Sequence, residues 1–240
     1  MGSGSPDKDW VPPPADVSLD DSVLAGMSGG GPGLFITFEG LDGSGKSTQI
    51  TLLAEALRER GYDVLATREP GGTELGEAVR AVLLDAAHQR MTPRAEALLY
   101  SAARAQLVQE VIRPALAAGR IVLCDRYVDS SLAYQGYGRG LVIEDVLTLN
   151  VWATDCLFPD LTIALLLEEP ARVARVKHGA ATDRLEAEDT EFFGRVAAGY
   201  RRLAADHRHR IRVVDAAGTV EEVQARVRAA VDEEFGLFRG

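Results

Sequence analysis

Cysteine is scarce in this chain of 240 residues: only Cys124 and Cys156 occur. Cys124 sits in the apolar run IVLC and reads as a buried, inert thiol, while Cys156 follows a helical stretch. A disulfide between the two stays open, but a reduced, cytoplasmic setting is the expectation. Positive charge is short as well, with 26 Lys and Arg against 36 Asp and Glu and a net charge of -10. That balance argues against a nucleic-acid or anionic-membrane partner. Any phosphate-bearing ligand must therefore find its cations gathered locally. Long hydrophobic runs are missing: the longest clean one, LTIALLL at 161–167, is far too short to span a bilayer. No basic, apolar, small-residue leader opens the chain, so no secretory signal is expected. The four histidines, at 88, 178, 207 and 209, show no metal-like constellation.

What is present is ordinary for a globular domain: 46% hydrophobic and 26% charged residues, at a length sufficient for one α/β domain. Residues 1–33 are the exception, rich in Gly, Pro, Ser and Asp without an apolar period. They read as a disordered N-terminal extension ahead of a domain over 34–240. Deleting them should leave activity intact if they are a passive tether.

From Leu34 onward, short apolar runs alternate with longer segments of 3.6-residue period. LFITF (34–38), YDVLAT (62–67), RIVLCD (120–125), LTIALLL (161–167) and IRVVD (211–215) predict five buried parallel strands. Helices are predicted from KSTQITLLAEALRER, TELGEAVRAVLL, PRAEALLYSAARAQLVQEVIRPALAAG, EDVLTLNVWATD, PARVARV, DTEFFGRVAAGYRRLAADH and TVEEVQARVRAAVDEEF. Gly61 and Gly119 stand where helices should stop before a strand. The alternation implies an open five-stranded parallel sheet with helices on both faces.

Gly40 to Ser47 (Gly40, Leu41, Asp42, Gly43, Ser44, Gly45, Lys46, Ser47) fits G-x-x-x-x-G-K-[ST], between a predicted strand and a predicted helix. In that context backbone N–H groups and the helix N-terminus, with Thr48 next in line, cradle the phosphates of a nucleotide such as ATP. Lys46 should reach the β- and γ-phosphates, and the Ser47 hydroxyl should ligate Mg²⁺. The motif names only a nucleotide-binding class, and the carboxylate of Asp42 inside an anion loop demands an explanation.

Three further segments narrow the reading. REPGGTELGEAVR (68–80) places Arg68 and Arg80 beyond the carboxyl end of a strand, where open α/β sheets put ligands. In LLYSAARAQ (98–106) Tyr100 and Arg104 lie four apart on one helix face, able to stack on and hydrogen-bond a base. The plain alternative is a core tyrosine beside a surface arginine. In LCDRYVDSSLAYQG (123–136) Asp125 and Arg126 end a buried strand. Asp125 suits Mg²⁺ and Arg126 a bidentate phosphate contact, a structural ion pair being the alternative. Ser130, Ser131, Tyr134 and Gln135 follow as hydroxyl and amide groups.

Taken in order, the phosphate loop, REPGG, the Tyr-x-x-x-Arg helix, DRYVDSSLAYQG and the later DRLE resemble bacterial thymidylate kinase over roughly residues 34–235. The resemblance implies a P-loop nucleoside-monophosphate-kinase fold with a small lid, and transfer of the ATP γ-phosphate to dTMP. It implies that Asp42 contacts the deoxyribose 3′-hydroxyl and that Arg80 and Arg126 bind the dTMP phosphate. Tyr100 would stack on thymine and Arg104 would bond its carbonyl edge. Ser130, Ser131, Tyr134 and Gln135 would line the sugar and base pocket, Tyr134 favouring the 2′-deoxy form. The four x positions of the loop hold no arginine, so the lid, about 175–189, should supply one: Arg184 first, then Arg175 and Lys177. A surface pair of Arg184 with Glu188 is the alternative. A homodimer through helices such as 93–118 also follows from the resemblance. The rivals are a deoxynucleoside kinase or another nucleoside-monophosphate kinase of the same fold, and a phosphate-loop switch. The chain lacks the switch's N-K-x-D motif and the transporter signature LSGGQ.

Overall fold

The computed structural model describes residues 32–168 and 183–239. The expected extension therefore lies outside the described residues except for Pro32 and Gly33, as do the helix expected over PARVARV and residues 175–182 of the expected lid. Five strands, β1 (Leu34–Glu39), β2 (Val64–Arg68), β3 (Ile121–Asp125), β4 (Leu161–Leu166) and β5 (Ile211–Asp215), form one sheet in the order β2-β3-β1-β4-β5. All four pairings are parallel. Successive side chains on a strand point to opposite faces, so a strand covered on both sides must be apolar throughout. Phe35, Val122, Cys124 and Ala164 enter one buried cluster, whereas Ile36, Phe38, Leu123 and Ile163 enter the other.

Helices α1 (Lys46–Glu59) and α7 (Val220–Phe235) cover the second cluster through Leu53, Leu57, Val223 and Val227. On the other face α2 (Glu74–Leu84) leans on α3 (Pro93–Leu107), which packs against α5 (Ile143–Thr154). A short α4 (Val128–Ser131) runs into a π-helical stretch, Leu132–Gly138, against which α6 (Thr190–Asp206) lies. Both described cysteines are free thiols, and no described helix is long and apolar enough to cross a membrane.

The single helix expected over 93–119 is interrupted. After Leu107 the backbone widens into a π turn, Val108–Ile112, before resuming as Arg113–Ala117. Pro114 lacks an N–H and its ring crowds the carbonyl four residues back, so a wider turn accommodates it. The π-helical stretch over Leu132–Gly138 lies in a segment read from the sequence only as donors along turns. Gly61 and Gly119 adopt φ of 88° and 77°, the left-handed ends their positions suggested.

The carboxyl ends of β1 and β3 are neighbours in the sheet, and the phosphate loop leaves one while Arg126 leaves the other. Anything that shifts these strands shifts the site. Leu123 is 0% exposed in the middle of β3. Its replacement in Leu123→Ala should lower unfolding free energy by about 2–5 kcal/mol, through lost burial and the cavity left behind. Urea titration reads this as a lower midpoint at unchanged slope.

Candidate active site

Of the six described helices of eleven or more residues, Thr73, Thr92, Asp189 and Thr219 cap α2, α3, α6 and α7. Helices α1 and α5 have no side-chain cap, but α5 carries Glu144 and Asp145 in its first turn. Helix α1 has neither: Gly45 precedes it at φ 95°, and its first turn holds no acidic residue. Its free amides and positive dipole end open onto a cleft lined by Gly43, Gly45, Ser47 and Thr48, a ready site for an anion. Gly40 is obligatory here, because its φ is 135° and a Cβ would collide with the Leu165 carbonyl. Leu41 packs on the core, and the buried Ser44 hydroxyl finds no partner among the described residues.

Lys46 Nζ donates to the carbonyls of Gly40 (3.0 Å) and Leu41 (3.3 Å), which leaves its third N–H for an anion. Burial lowers its pKa, opposed by Asp42, Asp125 and Glu39. Ser47 Oγ donates to Asp125 Oδ2 at 2.7 Å. The other oxygen, Asp125 Oδ1, is buried without a donor among the described residues. A hydroxyl and an unsatisfied carboxylate oxygen side by side are the hard oxygen ligands that Mg²⁺ takes.

The loop cleft and a second cleft share Asp42, Glu69, Arg80 and Arg126. Arg126 is the seam. Its backbone sits at φ 72°, uncommon for a side-chain-bearing residue, with its N–H on the Phe38 carbonyl at 2.9 Å. Its guanidinium donates to Asp42 Oδ1 (2.9 Å), Tyr134 Oη (3.2 Å), Ser130 Oγ (3.2 Å) and Tyr200 Oη (3.3 Å). Arg80 reaches the same seam and donates to the Pro70 carbonyl at 3.0 Å. Arg68 instead forms a forked pair with Glu77, at 2.8 and 2.9 Å.

The second cleft brings together Asp42, Arg80, Tyr100, Arg126, Ser130, Ser131, Tyr134 and Gln135. These are all the expected acceptor-side residues except one. Arg104 is 1% exposed and belongs to the core. Its Nε and Nη2 meet Glu69, its Nη1 meets Ser131 (2.8 Å) and Asn150, and its Nη2 meets the Tyr127 carbonyl (3.0 Å). All five donors are thus taken, as a buried guanidinium requires. The expected contact of Arg104 with a base edge is therefore not the arrangement found. The plain alternative is inverted too, since the tyrosine lines the cleft and the arginine is in the core.

Arg184 also differs from expectation. It is buried, with its Nη1 2.6 Å from Glu96, its Nε donating to the Leu83 carbonyl (2.8 Å) and its N–H to Leu84 (3.1 Å). A charge so paired is held against α2 and α3, although its Nη2 is buried without a hydrogen-bond partner among the described residues. Glu188 pairs with Arg139 at 2.6 Å, not with Arg184. Arg175 and Lys177 lie outside the described residues.

Sequence reasoning passed over the buried carboxylates Glu39 and Glu96. A glutamate closing an apolar strand just before the loop, in FITFE, was the available signal for the first. Glu39 accepts from Tyr127 N (2.8 Å), Ser130 Oγ (2.5 Å) and Tyr200 Oη (3.0 Å), and so ties β1 to the groups that hold Arg126. Burial, and then the nearby Asp129, push its pKa up to about 7. Burial likewise pushes Tyr134 up to about 12, so that phenol stays neutral beside Arg126.

Comparison with known proteins gives one family. The family model for thymidylate kinase matches residues 38–227. A thymidylate kinase from an Exiguobacterium species is 50% identical over 195 residues, 81% of this chain and 92% of that protein. One from Desulforudis audaxviator is 52% identical over 206 residues, 84% of this chain and 93% of that protein. The crystal structure of thymidylate kinase from Ehrlichia chaffeensis superposes with a TM-score of 0.69 at 36% identity, covering 83% of this chain and 98% of that one.

The raised pKa of Glu39 has a signed consequence for stability. Below its usual value of 4.5 the carboxyl is protonated whether the chain is folded or not. Between there and about 7 the folded chain keeps a proton that the unfolded chain releases, so rising pH favours unfolding. Glu39→Gln carries no such titration. Urea titrations from about pH 5 to 8 should show wild type losing stability relative to Glu39→Gln, at up to about 1.4 kcal/mol per pH unit. Parallel curves would show that Glu39 titrates normally.

Proposed function

The chain belongs to the thymidylate kinase family, and we propose that its two joined clefts seat ATP on the phosphate loop and dTMP against Arg126. The chain phosphorylates dTMP to dTDP. The observation that supports the site reading is that Arg80 and Arg126 line both clefts, so that two guanidinium groups would lie where the two phosphate ends meet.

In this reading the amides of Gly43 to Thr48 and Lys46 hold the donor phosphates. Arg126 and Arg80 grip the acceptor phosphate and aim one of its oxygens at the γ-phosphorus. That oxygen forms the new P–O bond as the bond to the β,γ-bridging oxygen breaks, and ADP leaves with the electron pair. The acceptor phosphate is already anionic, so no general base is needed; positioning and charge neutralisation supply the rate. Ser47 and Asp125 are the residues that would hold Mg²⁺, which when bound supplies positive charge beside the donor phosphates. Asp42 accepts a hydrogen bond from the sugar hydroxyl, Tyr100 offers its ring to the base, and Ser130, Ser131, Tyr134 and Gln135 line the sugar and base pocket. Arg104 and Arg184 act from behind. The free thiols suit a cytoplasmic setting.

Coupled detection of ADP tests the reading. Release should depend on dTMP and on Mg²⁺, stop with excess chelator, and be faster with dTMP than with thymidine, dUMP or dCMP. Arg126→Lys keeps the charge but loses the fork, and should lower kcat/KM for dTMP by about 10²–10³. Faster turnover of thymidine would make the enzyme a nucleoside kinase instead.

The same reading includes a homodimer. Leu75 and Val82 on α2, Leu98 on α3 and Trp152 on α5 are exposed apolar side chains on neighbouring helices. Sedimentation equilibrium should find twice the mass of the 25.8 kDa chain. A monomer across the micromolar range would refute the dimer.

A further inference from the structure

Arg126 is held unequally along its guanidinium. Nη1 donates to two buried hydroxyls, Ser130 Oγ at 3.2 Å and Tyr200 Oη at 3.3 Å. Nη2 donates to Tyr134 Oη and to the exposed carboxylate of Asp42. Nε finds no partner among the described residues. Nε and Nη2 share one edge of the group, a fork whose two parallel N–H bonds match a phosphate. Nη1 lies off that edge.

Behind Nη1 stands a carboxylate. Tyr200 Oη donates to Glu39 Oε2 at 3.0 Å, and Ser130 Oγ donates to the same oxygen at 2.5 Å. Each hydroxyl carries one proton, and with that proton given to Glu39 its oxygen can only accept. Both oxygens therefore turn lone pairs to Nη1, which can only donate. Glu39 is fixed in turn, because its Oε1 accepts from the amides of Tyr127 (2.8 Å) and Ser130 (3.3 Å). Burial, and then Glu39, push the Tyr200 phenol well above its usual range, so it keeps the proton it donates. The two hydroxyls differ in one respect. Ser130 lines the acceptor cleft, whereas Tyr200 lines neither cleft; it reaches in from α6 and packs edge-on against Tyr134, ring centroids 6.4 Å apart. Its hydroxyl can act on a nucleotide only through Arg126.

We propose that Tyr200, with Glu39 behind it, is a positioning residue that pins Arg126 by Nη1 and so keeps the Nε–Nη2 edge turned to the acceptor phosphate. When that phosphate arrives, Nη2 exchanges its outer contacts while Nη1 keeps its inner ones. Without the Tyr200 hydroxyl, Nη1 is left with Ser130 alone, and ordering the guanidinium is charged against binding. The effect belongs to the phosphate end of the ligand, because the groups that line the sugar and base pocket are untouched. The inference rests on the reading of Arg126 as the group that grips the acceptor phosphate.

The test is calorimetric binding of dTMP and thymidine to wild type, Tyr200→Phe, Arg126→Ala and the double variant, at pH 8. That lies above the value of about 7 to which burial raises Glu39, so the carboxylate is charged. Tyr200→Phe keeps the ring and removes one oxygen. It should weaken dTMP about tenfold, as the loss of one hydrogen bond to a charged group does, and leave thymidine within about twofold. On the Arg126→Ala background the same change should move dTMP by less than about twofold, since no guanidinium is left to position. Steady-state assays should show the KM for dTMP rising about tenfold in Tyr200→Phe and the KM for ATP unmoved. A purely structural role would weaken thymidine and ATP too, or persist without Arg126. Either result overturns the proposal, as does full dTMP affinity in Tyr200→Phe. Should Arg126→Ala fail to fold, the thymidine and ATP comparisons decide. A wild type that fails to bind dTMP, or an Arg126→Ala that binds it normally, overturns the site reading beneath the proposal. Dependence on Arg126 with no dependence on the Tyr200 hydroxyl overturns the positioning alone.

Discussion

A guanidinium held largely out of water at the meeting point of two clefts is the constraint around which the site is built. Arg126 has no freedom to retreat: its backbone sits in the left-handed region and its amide is bound to β1. Withdrawing that charge from solvent is costly unless acceptors surround it. Asp42, Ser130, Tyr134 and Tyr200 supply them, and Glu39 holds two of those four in place. Of these acceptors Asp42 is the most exposed, at 53%. In the proposed site it is the one that would exchange Arg126 for a sugar hydroxyl. The carboxylate in the anion loop is thus tolerated because it lies between two cations, 2.9 Å from Arg126 and 3.8 Å from Lys46.

A chain of net charge -10 can bind two anionic nucleotides because binding responds to local, not total, charge. Lys46, Arg68, Arg80 and Arg126 all line the loop cleft, and the uncapped end of α1 adds its dipole. Many of the surplus carboxylates are spent elsewhere. Glu77 occupies Arg68, and Glu96 neutralises Arg139 and Arg184. The acidity of the whole therefore says what the surface avoids, and little about the cleft.

The parts of this fold that could be read in advance are those whose signal is local. A strand buried on both faces is a run of apolar residues, and a phosphate loop is eight consecutive positions, so β1 to β5 and Gly40 to Ser47 were legible. The acceptor cleft was legible through its own motifs as far as Tyr100, Ser131 and Gln135. Arg104 and Arg184 were misjudged because their partners are remote in the chain: Glu69 and Asn150 for the first, Glu96 for the second. An arginine in a helix looks like a surface group until the fold brings a carboxylate beneath it. The break at Val108–Ile112 had a visible cause in Pro114, whereas the π-helical stretch over Leu132–Gly138 has no such local mark.

The burial of Arg184 also changes how recognition and covering of the acceptor relate. Glu96 sits on the same helix as Tyr100, accepts from the Gln135 amide, and pairs with Arg184. One carboxylate therefore holds both Gln135 and Arg184, whose neighbours Asp183, Leu185 and Glu186 line the same cleft. Removing the Glu96 charge would leave Arg184 and Arg139 without a shared partner and the Gln135 amide without its acceptor. A buried network of this kind loses more than the sum of its pairs when one member goes.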